Sequence, residues 1–307
     1  MIRNLKRTLR RLSCQAKSVF TPAADGPLIC ASMVRNEIDI IDVWVAHLSA
    51  IFDHVLIYNH LSSDGTHERL LELAKRYHNL EIRDYTEPGN NQSAVMTSAF
   101  LEVASHTSKG WMFFLDGDEF IFEKGRNEIR RELSRYRAAI TVRMKWVNVY
   151  PVALQSPIQA ATEIEGWLEG PCQIHKLAVN LSRAETVTKI IQGNHGALFN
   201  KRAPFQKVHL DTIRILHMPI RTEAQIAAKV ATGLASNAIA TARNSNYSAH
   251  WKAMAGLKDL SDVQTHVYNY SNLNTTTGEL LRVPPPAPSL SGRLSDHVVL
   301  DEKPPGV

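Results

Sequence analysis

The sequence predicts an α/β fold in which helices flank a central, mostly parallel sheet. Short apolar runs typical of buried strands alternate, over the first half of the chain, with segments that have the apolar spacing of helices. This alternation is the pattern of βαβ units, whose parallel sheet is covered on both faces. With 307 residues, 44% of them hydrophobic and 21% charged, the chain can bury a sizeable core.

The first half contains four predicted strands separated by three predicted helices. The strands are short, apolar and rich in β-branched or aromatic residues: PLICASMV, HVLIYN, LEIRDY and WMFFL. The helical segments between them are IDIIDVWVAHLSAIF, THERLLELAKRYH and NQSAVMTSAFLEVASH. The stretch HLSSDGT after the second strand is rich in turn formers, so we expect a loop there.

The second half has a different order of predicted helices and strands. A helix (RNEIRRELSRY) leads into a strand (AAITVRMKWVNVY), then come a strand-rich region near residues 174–216 and a helix (TEAQIAAKVATGLASNAIATAR). The final stretch is rich in proline and typical of an extended tail. We therefore predict a leader at 1–26, an α/β domain at 27–240, and a C-terminal helical extension with a Pro-rich tail at 241–307.

The leader is basic and amphipathic. Ile2, Leu5, Leu9 and Leu12 fall on one stripe of a helix, and residues 1–20 include six basic residues but no acidic one. Such a helix is typical of attachment to an anionic membrane surface. A solvated leader and a nucleic-acid contact are the alternatives. No aromatic-rich basic patch elsewhere supports the nucleic-acid contact, so we expect no nucleic-acid partner.

The cysteines and the apolar runs indicate a cytoplasmic protein. Cys14, Cys30 and Cys172 are odd in number, widely spaced and without a C-x-x-C pair, which disfavours a disulfide framework or a zinc site. No run approaches the roughly 18 apolar residues of a membrane span, and the N-terminus lacks the apolar core of a signal peptide. We expect a cytoplasmic location, with the leader as a peripheral contact to the inner face of the membrane.

Polar side chains follow all four predicted strands of the first half. The fourth strand ends abruptly at three carboxylates, Asp116, Asp118 and Glu119, and Asp64 and Asp84 follow the second and third strands. Ligands of open α/β sheets bind at the carboxyl ends of the strands, so we expect all of these groups, Asp84 included, to border a bound cofactor. Adjacent carboxylates repel one another unless water, a basic neighbour or a metal ion relieves them.

A divalent metal fits the carboxylates after the fourth strand. Asp and Glu are hard oxygen ligands suited to Mn²⁺ or Mg²⁺, and a solvated acidic loop is the alternative. In the D-x-D spacing, one carboxylate can meet the metal while the other reaches a neighbouring hydroxyl or water. Gly117 between them would let the backbone approach a ligand closely.

Residues 28–122 resemble a known group of enzymes. MVRNEIDIIDVWVAHLSAIFDHVLIYNHLSSDGTHERL followed by WMFFLDGDEFIF is similar to the glycosyltransferase family 2-like group and to the family 92 (DUF23-type) enzymes. The resemblance continues more faintly through KIIQGNHGALF and ILHMPIRTEAQIAAKVATG. It implies a GT-A fold with an acceptor-side helical region after the nucleotide-binding domain, and transfer of a sugar from a nucleotide-sugar donor.

The resemblance also implies roles for single residues. Asn36 and Glu37 would lie by the base and ribose, and Asp64 near the nucleotide. Asp116 and Asp118 match the D-x-D metal motif, with Asp118 the direct ligand and Glu119 beside it. Two further groups lie late in the chain: His217 would complete the metal shell or touch the diphosphate, and Arg221 and Lys229 would contact phosphate.

Each assignment has a structural alternative. Asn36 and Glu37 could cap the following helix, Asp64 could belong to a turn, and Arg221 could be a surface charge. Trp44 and His47 share a helix face and are expected to pack rather than react. His195 lies between glycines, which favours an exposed loop, with proximity to the site left open.

The catalytic base is harder to place. Glycosyl transfer needs a stabilised leaving diphosphate, an oriented acceptor hydroxyl and usually a base. The stretch ATEIEGWLEGP offers Glu163, Glu165 and Glu169 around Trp167, and an aromatic ring beside carboxylates suits a sugar. We take Glu163 and Glu165 as candidate bases in the acceptor half, with a solvated loop as the alternative.

The sequence therefore predicts a metal-dependent glycosyltransferase acting on a carbohydrate or lipid-linked acceptor, as in the synthesis of lipopolysaccharide or other cell-surface polysaccharide. A nucleotidyltransferase could use the same carboxylates, but the stretch SMVRNE after the first strand has neither the Gly nor the Lys of a phosphate loop. A non-catalytic carbohydrate- or membrane-binding module would not need polar groups after four successive strands.

Overall fold

The computed structural model describes residues 26–89, 91–151, 157–159, 163–168, 175–200, 207–239 and 290–301. The predicted leader, Cys14, Cys172 and Glu169 lie outside these residues, as does most of the predicted C-terminal extension. Within the described residues, no helix combines the length and the apolar character needed to cross a membrane.

The described chain forms twelve strands and six α-helices, and short 3₁₀ turns join some of them. The strands are β1 Leu28–Val34, β2 His54–His60, β3 Leu80–Tyr85, β4 Trp111–Phe114, β5 Glu119–Phe122, β6 Thr141–Pro151, β7 Glu163–Leu168, β8 His175–Asn180, β9 Val187–Ile190, β10 Ala197–Phe199, β11 Lys207–His217 and β12 Leu290–Arg293. The helices are α1 Ile41–Ile51, α2 Thr66–Arg76, α3 Gln92–His106, α4 Arg126–Leu133, α5 Glu223–Ile239 and α6 Leu294–His297.

One large sheet organises the fold. Its strand order is β12-β7-β6-β8-β4-β1-β2-β3, with β11 pairing both β5 and β6, while β9 and β10 form a separate two-stranded sheet. The α/β class predicted from the sequence is confirmed. The sheet is parallel through β1 to β4, where helices connect the strands, and again between β6 and β11.

The prediction of a mostly parallel sheet needs correction, because the second half is largely antiparallel. β8 runs antiparallel to both β4 and β6, β7 runs antiparallel to β6, and β5 runs antiparallel to β11. Parallel neighbours need a long crossover, whereas antiparallel neighbours can follow one another closely. Beyond α4, few helices are available to supply crossovers, so most of the later strands pair antiparallel.

The sheet has an apolar core on each face. On one face, side chains of α1, α2 and α4, such as Trp44, Leu70 and Ile129, pack with β1, β2 and β5. On the other, α3 contributes Phe100 and packs with Met112 and with the segment that carries β9. Both faces of the parallel strands are therefore covered, as the continuous apolar runs of β1 and β4 require.

Strand β5 was not predicted as a separate element, and helix α1 holds it in place. The Trp44 indole N–H donates to the carbonyl of Glu119 (3.1 Å). The backbone N–H of Ile121 donates to Nε2 of His47 (2.8 Å), and Nδ1 of His47 donates to the carbonyl of Val299 (2.8 Å). The two side chains have the packing role that the sequence predicts, and they fix the strand that begins at Glu119.

His47 makes the stability of the fold sensitive to acid. Burial lowers its pKa from 6.5 to about 4, against the opposing effect of its bond to the Val299 carbonyl. The unfolded chain takes up this proton near pH 6.5, whereas the folded chain resists it until about pH 4. Stability is therefore full above pH 6.5 and falls as the pH drops toward 4, by roughly 3 kcal/mol in the limit.

His47→Gln is the matched variant for this prediction. Glutamine retains one donor and one acceptor but has no titrating proton, so its free energy of unfolding should fall less steeply between pH 6.5 and 4. Urea unfolding at several pH values measures the difference. Equal slopes for the two proteins would show that His47 is not the source of the acid sensitivity.

The C-terminal segment, residues 290–301, returns to the core of the fold. β12 adds to the outer edge of the sheet beside β7. Beyond it, the carbonyl of His297 accepts from the N–H of Glu123 (2.9 Å), and the N–H of Asp301 donates to the carbonyl of Ala46 (3.3 Å). The segment thus joins the end of β5 to helix α1.

Candidate functional site

Five buried or half-buried carboxylates and three cationic side chains meet beyond the carboxyl ends of β1 and β4. We call this group the acidic centre: Glu37, Asp39, Asp116, Asp118, Glu119, Lys176, Arg221 and Lys229. β1 leads into the loop with the first two carboxylates, β4 into the D-x-D loop, and β11 into the loop with Arg221. The topology of the sheet therefore brings together residues from four distant parts of the sequence.

Asp118 is 4% exposed and surrounded by basic groups. Lys229 Nζ donates to its Oδ2, Arg221 Nη1 lies 3.7 Å from the same oxygen, and His217 Nε2 lies 3.5 Å from Oδ1. Burial alone would raise the pKa of Asp118, but the charge of Lys229 and the contacts with His217 and Arg221 outweigh it and hold that pKa well below its usual range. Asp118 is therefore ionised at neutral pH.

Arg221 joins the β1 loop to the end of β11. Its Nε and Nη2 donate to the two carboxylate oxygens of Asp39 (2.9 Å each), Nη2 also contacts Glu37, and Nη1 donates to the carbonyl of Met218 (2.9 Å). Arg221 is only 1% exposed, so the surface-charge alternative is excluded. Burial lowers the pKa of Arg221, but the carboxylates of Glu37 and Asp39 raise it by more.

Glu37 has a structural bond as well as its ion pairs. Its backbone N–H donates to Thr66 Oγ1 (2.9 Å), and its Oε1 lies 3.3 Å from Lys229 Nζ. Burial raises the pKa of Glu37, although Lys229 and Arg221 oppose the shift. A Cβ on Gly117 would lie 3.1 Å from Glu37 Cγ, so the glycine lets the D-x-D loop pass close to this carboxylate.

Lys176 occupies the other side of the acidic centre. It is fully buried, and its ammonium lies 2.5 Å from Asp116 Oδ2 and 2.9 Å from Glu119 Oε1. It also donates to the carbonyl of Gly193 (2.9 Å). Because β8 runs antiparallel to β4, pairing Ala178 with Phe113, Lys176 comes beside the carboxyl end of β4.

Glu119 begins β5 and is completely buried. Burial raises its pKa to about 8, and the neighbouring Asp116 and Asp118 add to this shift while Lys176 opposes it. Its Oε2 accepts from the N–H of Asp116 (3.0 Å), which closes the D-x-D loop on itself. Asp116 Oδ1 is also bound, by Gln92 Nε2 (2.7 Å) and Asn194 Nδ2 (3.1 Å).

His217 stands at the end of β11, opposite Glu119 of β5 and beside Asn148 of β6. Its Nδ1 lies 2.7 Å from Asn148 Oδ1, and its ring stacks on Trp146 at 3.9 Å. Burial lowers the pKa of His217, with the adjacent Asp118 opposing the shift. In the neutral ring, an Nδ1–H that donates to Asn148 leaves Nε2 with the lone pair that a metal ion could accept.

Three ligand atoms suited to a metal come together here. One atom each from Asp118, Glu119 and His217 lies within 4.8 Å of the other two, and all three residues are buried. Two carboxylates and an imidazole suit Mn²⁺, and Mg²⁺ to a lesser degree. Among the described residues, Asp116 is not part of this set. Its two carboxylate oxygens are bound by Lys176, Gln92 and Asn194.

The remaining predicted residues form two outlying groups. Asn36 and Asp64 join the loops after β1 and β2: Asn36 Oδ1 accepts from Ser63 N–H (2.8 Å), and Asp64 Oδ2 accepts from Ile38 N–H (3.1 Å). Asp64 Oδ1 also accepts from Thr66 N–H (3.0 Å), as the turn alternative predicts. The capping alternative for Asn36 and Glu37 is wrong, because Ile40 is the N-cap of α1 and that position has no side-chain cap bond. Asp84 is exposed at the end of β3 and lies 3.1 Å from His67 Nδ1.

The candidate bases lie on β7. Glu163 is exposed, pairs with Arg293 of β12 and makes no contact with the acidic centre among the described residues. The backbone of Glu165 pairs with Ser291, and its side chain lies outside the described residues. His195, in contrast, lies next to Asn194 and has its ring 5.6 Å from that of Trp146. Burial lowers the pKa of His195 to about 4.

Sequence reasoning missed several members of the site. Asp39, Gln92, Trp146, Asn148, Lys176 and Asn194 were not singled out. A lysine within an apolar strand, HKLAVN, is the one sequence feature that could have found Lys176, because a buried ammonium needs a carboxylate partner. Asn194 lies in a glycine-flanked loop and the other four in ordinary helical or strand patterns, and only tertiary structure brings them to the site.

Comparison with known proteins gives low-identity structural matches. No family model matches the chain, and no curated protein matches it. A glucose-1-phosphate thymidylyltransferase from Bacillus anthracis, solved with sucrose, is 12% identical with a TM-score of 0.36, covering 68% of this chain and 96% of that one. HddC from Yersinia pseudotuberculosis is 6% identical with a TM-score of 0.34, covering 62% and 92%.

A third solved structure is GalNAc-T7 with UDP, GalNAc and Mn²⁺. It is 9% identical with a TM-score of 0.36, covering 82% of this chain and 55% of that one. At these identities and scores, we take the function of the present chain from its own residues.

Proposed function

We propose that the chain is a glycosyltransferase that moves a sugar from a nucleotide-sugar donor to a carbohydrate or lipid-linked acceptor with the aid of Mn²⁺ or Mg²⁺. One observation carries the proposal: Asp118, Glu119 and His217 offer ligand atoms within 4.8 Å of one another. They do so where β4 ends beside β1, the edge at which α/β sheets bind ligands.

The charges of the acidic centre support a divalent cation. Its five carboxylates face three cationic side chains, so two negative charges would remain uncompensated once a bound metal displaced the proton that burial favours on Glu119. One divalent ion would balance them. Neighbouring groups also hold the proposed ligands in place: Asn148 binds the ring of His217, and Lys176 and the N–H of Asp116 hold the carboxylate of Glu119.

Different residues of the acidic centre would have different roles in the sugar transfer. A divalent ion held by Asp118, Glu119 and His217 would neutralise the charge that develops on the leaving diphosphate. Lys229 is the cationic group of the centre most open to solvent, at 18% side-chain exposure, so it is the group best able to turn toward a phosphate. Arg221 is held by Asp39 and Glu37, so we assign it to positioning those two carboxylates.

The nucleotide would extend along the sheet edge from the metal. Asn36, Asp64 and Asp84 follow β1, β2 and β3 in turn, which suits contacts with the ribose and base. Asp84 is exposed at that edge, so its carboxylate can accept bonds from a ligand. Glu163 and Glu165 remain the proposed bases for the acceptor, and a role in cell-surface polysaccharide synthesis at an anionic membrane surface remains part of the proposal.

Nucleotide binding tests this function. Calorimetric titration of UDP, GDP, ADP and dTDP, each with and without Mn²⁺, should show one nucleotide that binds only with the metal. Asp118→Asn keeps the shape of the side chain but removes a ligand charge, so we expect metal-dependent affinity to fall about 100-fold or more. Asp42→Asn is the matched control, because Asp42 pairs with Arg69 on the exposed surface.

The outcomes are distinct. Binding that is independent of Mn²⁺, or equal in wild type and Asp118→Asn, would contradict the metal role. Binding of none of the four nucleotides by folded protein would contradict the nucleotide-sugar donor. A loss in Asp42→Asn as large as that in Asp118→Asn would trace the effect to stability, which thermal unfolding of each variant records.

A further inference from the structure

Two buried polar atoms beside the acidic centre have no hydrogen-bond partner among the described residues. They are the indole Nε1 of Trp146 and the side-chain Oδ1 of Asn194. Trp146 is 6% exposed and Asn194 is 0% exposed. Leaving such buried atoms unpaired is unfavourable, so a binding partner at this position would be stabilising.

Trp146 and Asn194 are linked to each other through contacts with Lys176, Asp116 and His195, so they lie in the same region. The ammonium of Lys176 lies 5.6 Å from the centre of the Trp146 ring and binds Asp116. Asp116 accepts from Asn194 Nδ2. His195 follows Asn194, and its ring lies 5.6 Å from that of Trp146. The Trp146 ring also stacks on His217, so this site adjoins the proposed metal ligands.

The geometry of Asn194 is itself unusual. Its backbone has a φ of 60°, the left-handed region that non-glycine residues seldom adopt. The carbonyl of Ile191 accepts its N–H (3.1 Å), and its side-chain amide is directed to Asp116. The amide nitrogen therefore donates to the acidic centre. No described residue donates a hydrogen bond to Oδ1.

The pair of unsatisfied atoms defines the chemistry of a ligand. Trp146 Nε1 can only donate, and Asn194 Oδ1 can only accept. A phosphate oxygen at neutral pH accepts but does not donate, so it would satisfy the indole and be repelled by the amide oxygen. A hydroxyl group does both. Sugar hydroxyls beside an aromatic ring meet these requirements better than a diphosphate does.

We propose that Trp146 and Asn194 form a sugar-hydroxyl subsite, in which the indole N–H donates to a hydroxyl oxygen and that hydroxyl donates to Asn194 Oδ1. The inference deepens the proposed function by naming the part of the substrate that this side of the centre recognises. The sugar is that of the donor or that of the acceptor, and the two share the hydroxyl chemistry. Trp146 would then determine which hydroxyl pattern the site accepts.

Indole N–H signals in a ¹⁵N-tryptophan NMR spectrum test the subsite. The chain has five tryptophans, and the signal absent from Trp146→Phe is that of Trp146. If this variant does not fold, side-chain correlation spectra of the wild type provide the same assignment. The probes are UDP, GDP, ADP and dTDP with Mn²⁺, then UDP-glucose, UDP-N-acetylgalactosamine, GDP-mannose and dTDP-glucose with Mn²⁺, and finally the free sugars and maltose.

We expect the Trp146 signal to move with a sugar-containing probe and to stay in place with the matching nucleotide diphosphate. Calorimetry with Trp146→Phe gives a second test, because phenylalanine keeps an aromatic ring but lacks the indole N–H donor. The variant's affinity for that sugar probe should fall about 3- to 10-fold more than its affinity for the matching nucleotide diphosphate. A shift with a sugar nucleotide assigns the subsite to the donor, and a shift with a free sugar or maltose assigns it to the acceptor.

Two other outcomes overturn the subsite. A Trp146 signal that moves equally with nucleotide diphosphate and sugar nucleotide would show a phosphate contact. A signal that no sugar moves would show that a trapped water satisfies these atoms, even if a nucleotide binds with Mn²⁺. Failure of nucleotide binding alone, with a sugar still moving the signal, would contradict the glycosyltransferase but support the subsite.

Discussion

Arg221→Met should lower the free energy of unfolding by about 3 to 5 kcal/mol, the range expected when one partner of a buried ion pair is removed. The guanidinium is 1% exposed and makes a two-point contact with Asp39 and a further one with Glu37. Methionine fills a similar volume but leaves these carboxylates buried without their main cation. Urea unfolding monitored by circular dichroism measures the loss.

Arg69→Met is the matched control for this variant. Arg69 also contacts two carboxylates, Asp42 and Glu72, but its side chain is 39% exposed. Solvent screens such pairs, so we expect a loss below about 1 kcal/mol. Equal losses in the two variants would show that Arg221 contributes no more than an exposed pair. Arg221→Lys should fall between wild type and Arg221→Met, because lysine keeps the charge without the planar two-point contact.

Lys176→Met should destabilise the fold by about 3 kcal/mol or more in the absence of metal. The fully buried ammonium is shared by Asp116 and Glu119, and its removal leaves those carboxylates facing each other. Added Mn²⁺ should then restore part of the stability, because a bound ion stabilises the folded state by mass action. The variant should gain more in melting temperature from Mn²⁺ than the wild type does.

Lys145→Met separates this effect from a general loss of positive charge. Lys145 is half-exposed and pairs with Asp211 at 2.8 Å on the surface, so its removal should leave the melting temperature and its response to Mn²⁺ close to wild type. An equal Mn²⁺ response in Lys176→Met and wild type would contradict a cation site that competes with Lys176 for Glu119.

The alternation of short apolar runs with segments of helical apolar spacing was enough to predict the first half of the fold. β1 to β4 and the helices between them form where the runs PLICASMV to WMFFL indicate, because local pattern and final burial agree there. The same pattern placed Asp118, Glu119 and Asn36 at strand ends. It could not place Lys176 or Asn148, because their positions follow from pairing between strands far apart in the sequence, antiparallel β4 with β8 for Lys176 and parallel β6 with β11 for Asn148.

Two features of the site were beyond a pattern-based prediction for physical reasons. β5 starts at Glu119, two residues after Gly117, directly after a charged loop. Its four residues are too few to show the apolar pattern by which a strand is predicted. The carboxylates were predicted to meet a metal ion, yet in the fold three side-chain cations already balance most of their charge. A sequence shows which residues are charged, but the neighbours of each charge depend on tertiary structure.

The return of residues 290–301 to helix α1 has a consequence for how the protein is made. Synthesis delivers β1 to β6 first, and the edge of β7 and the backbone groups of Ala46 and Glu123 find their partners only when this late segment emerges. A nascent chain released before residue 290 would carry an unpaired strand edge, which favours association with other chains. Premature termination in this gene should therefore yield aggregated protein, rather than a shortened but folded chain.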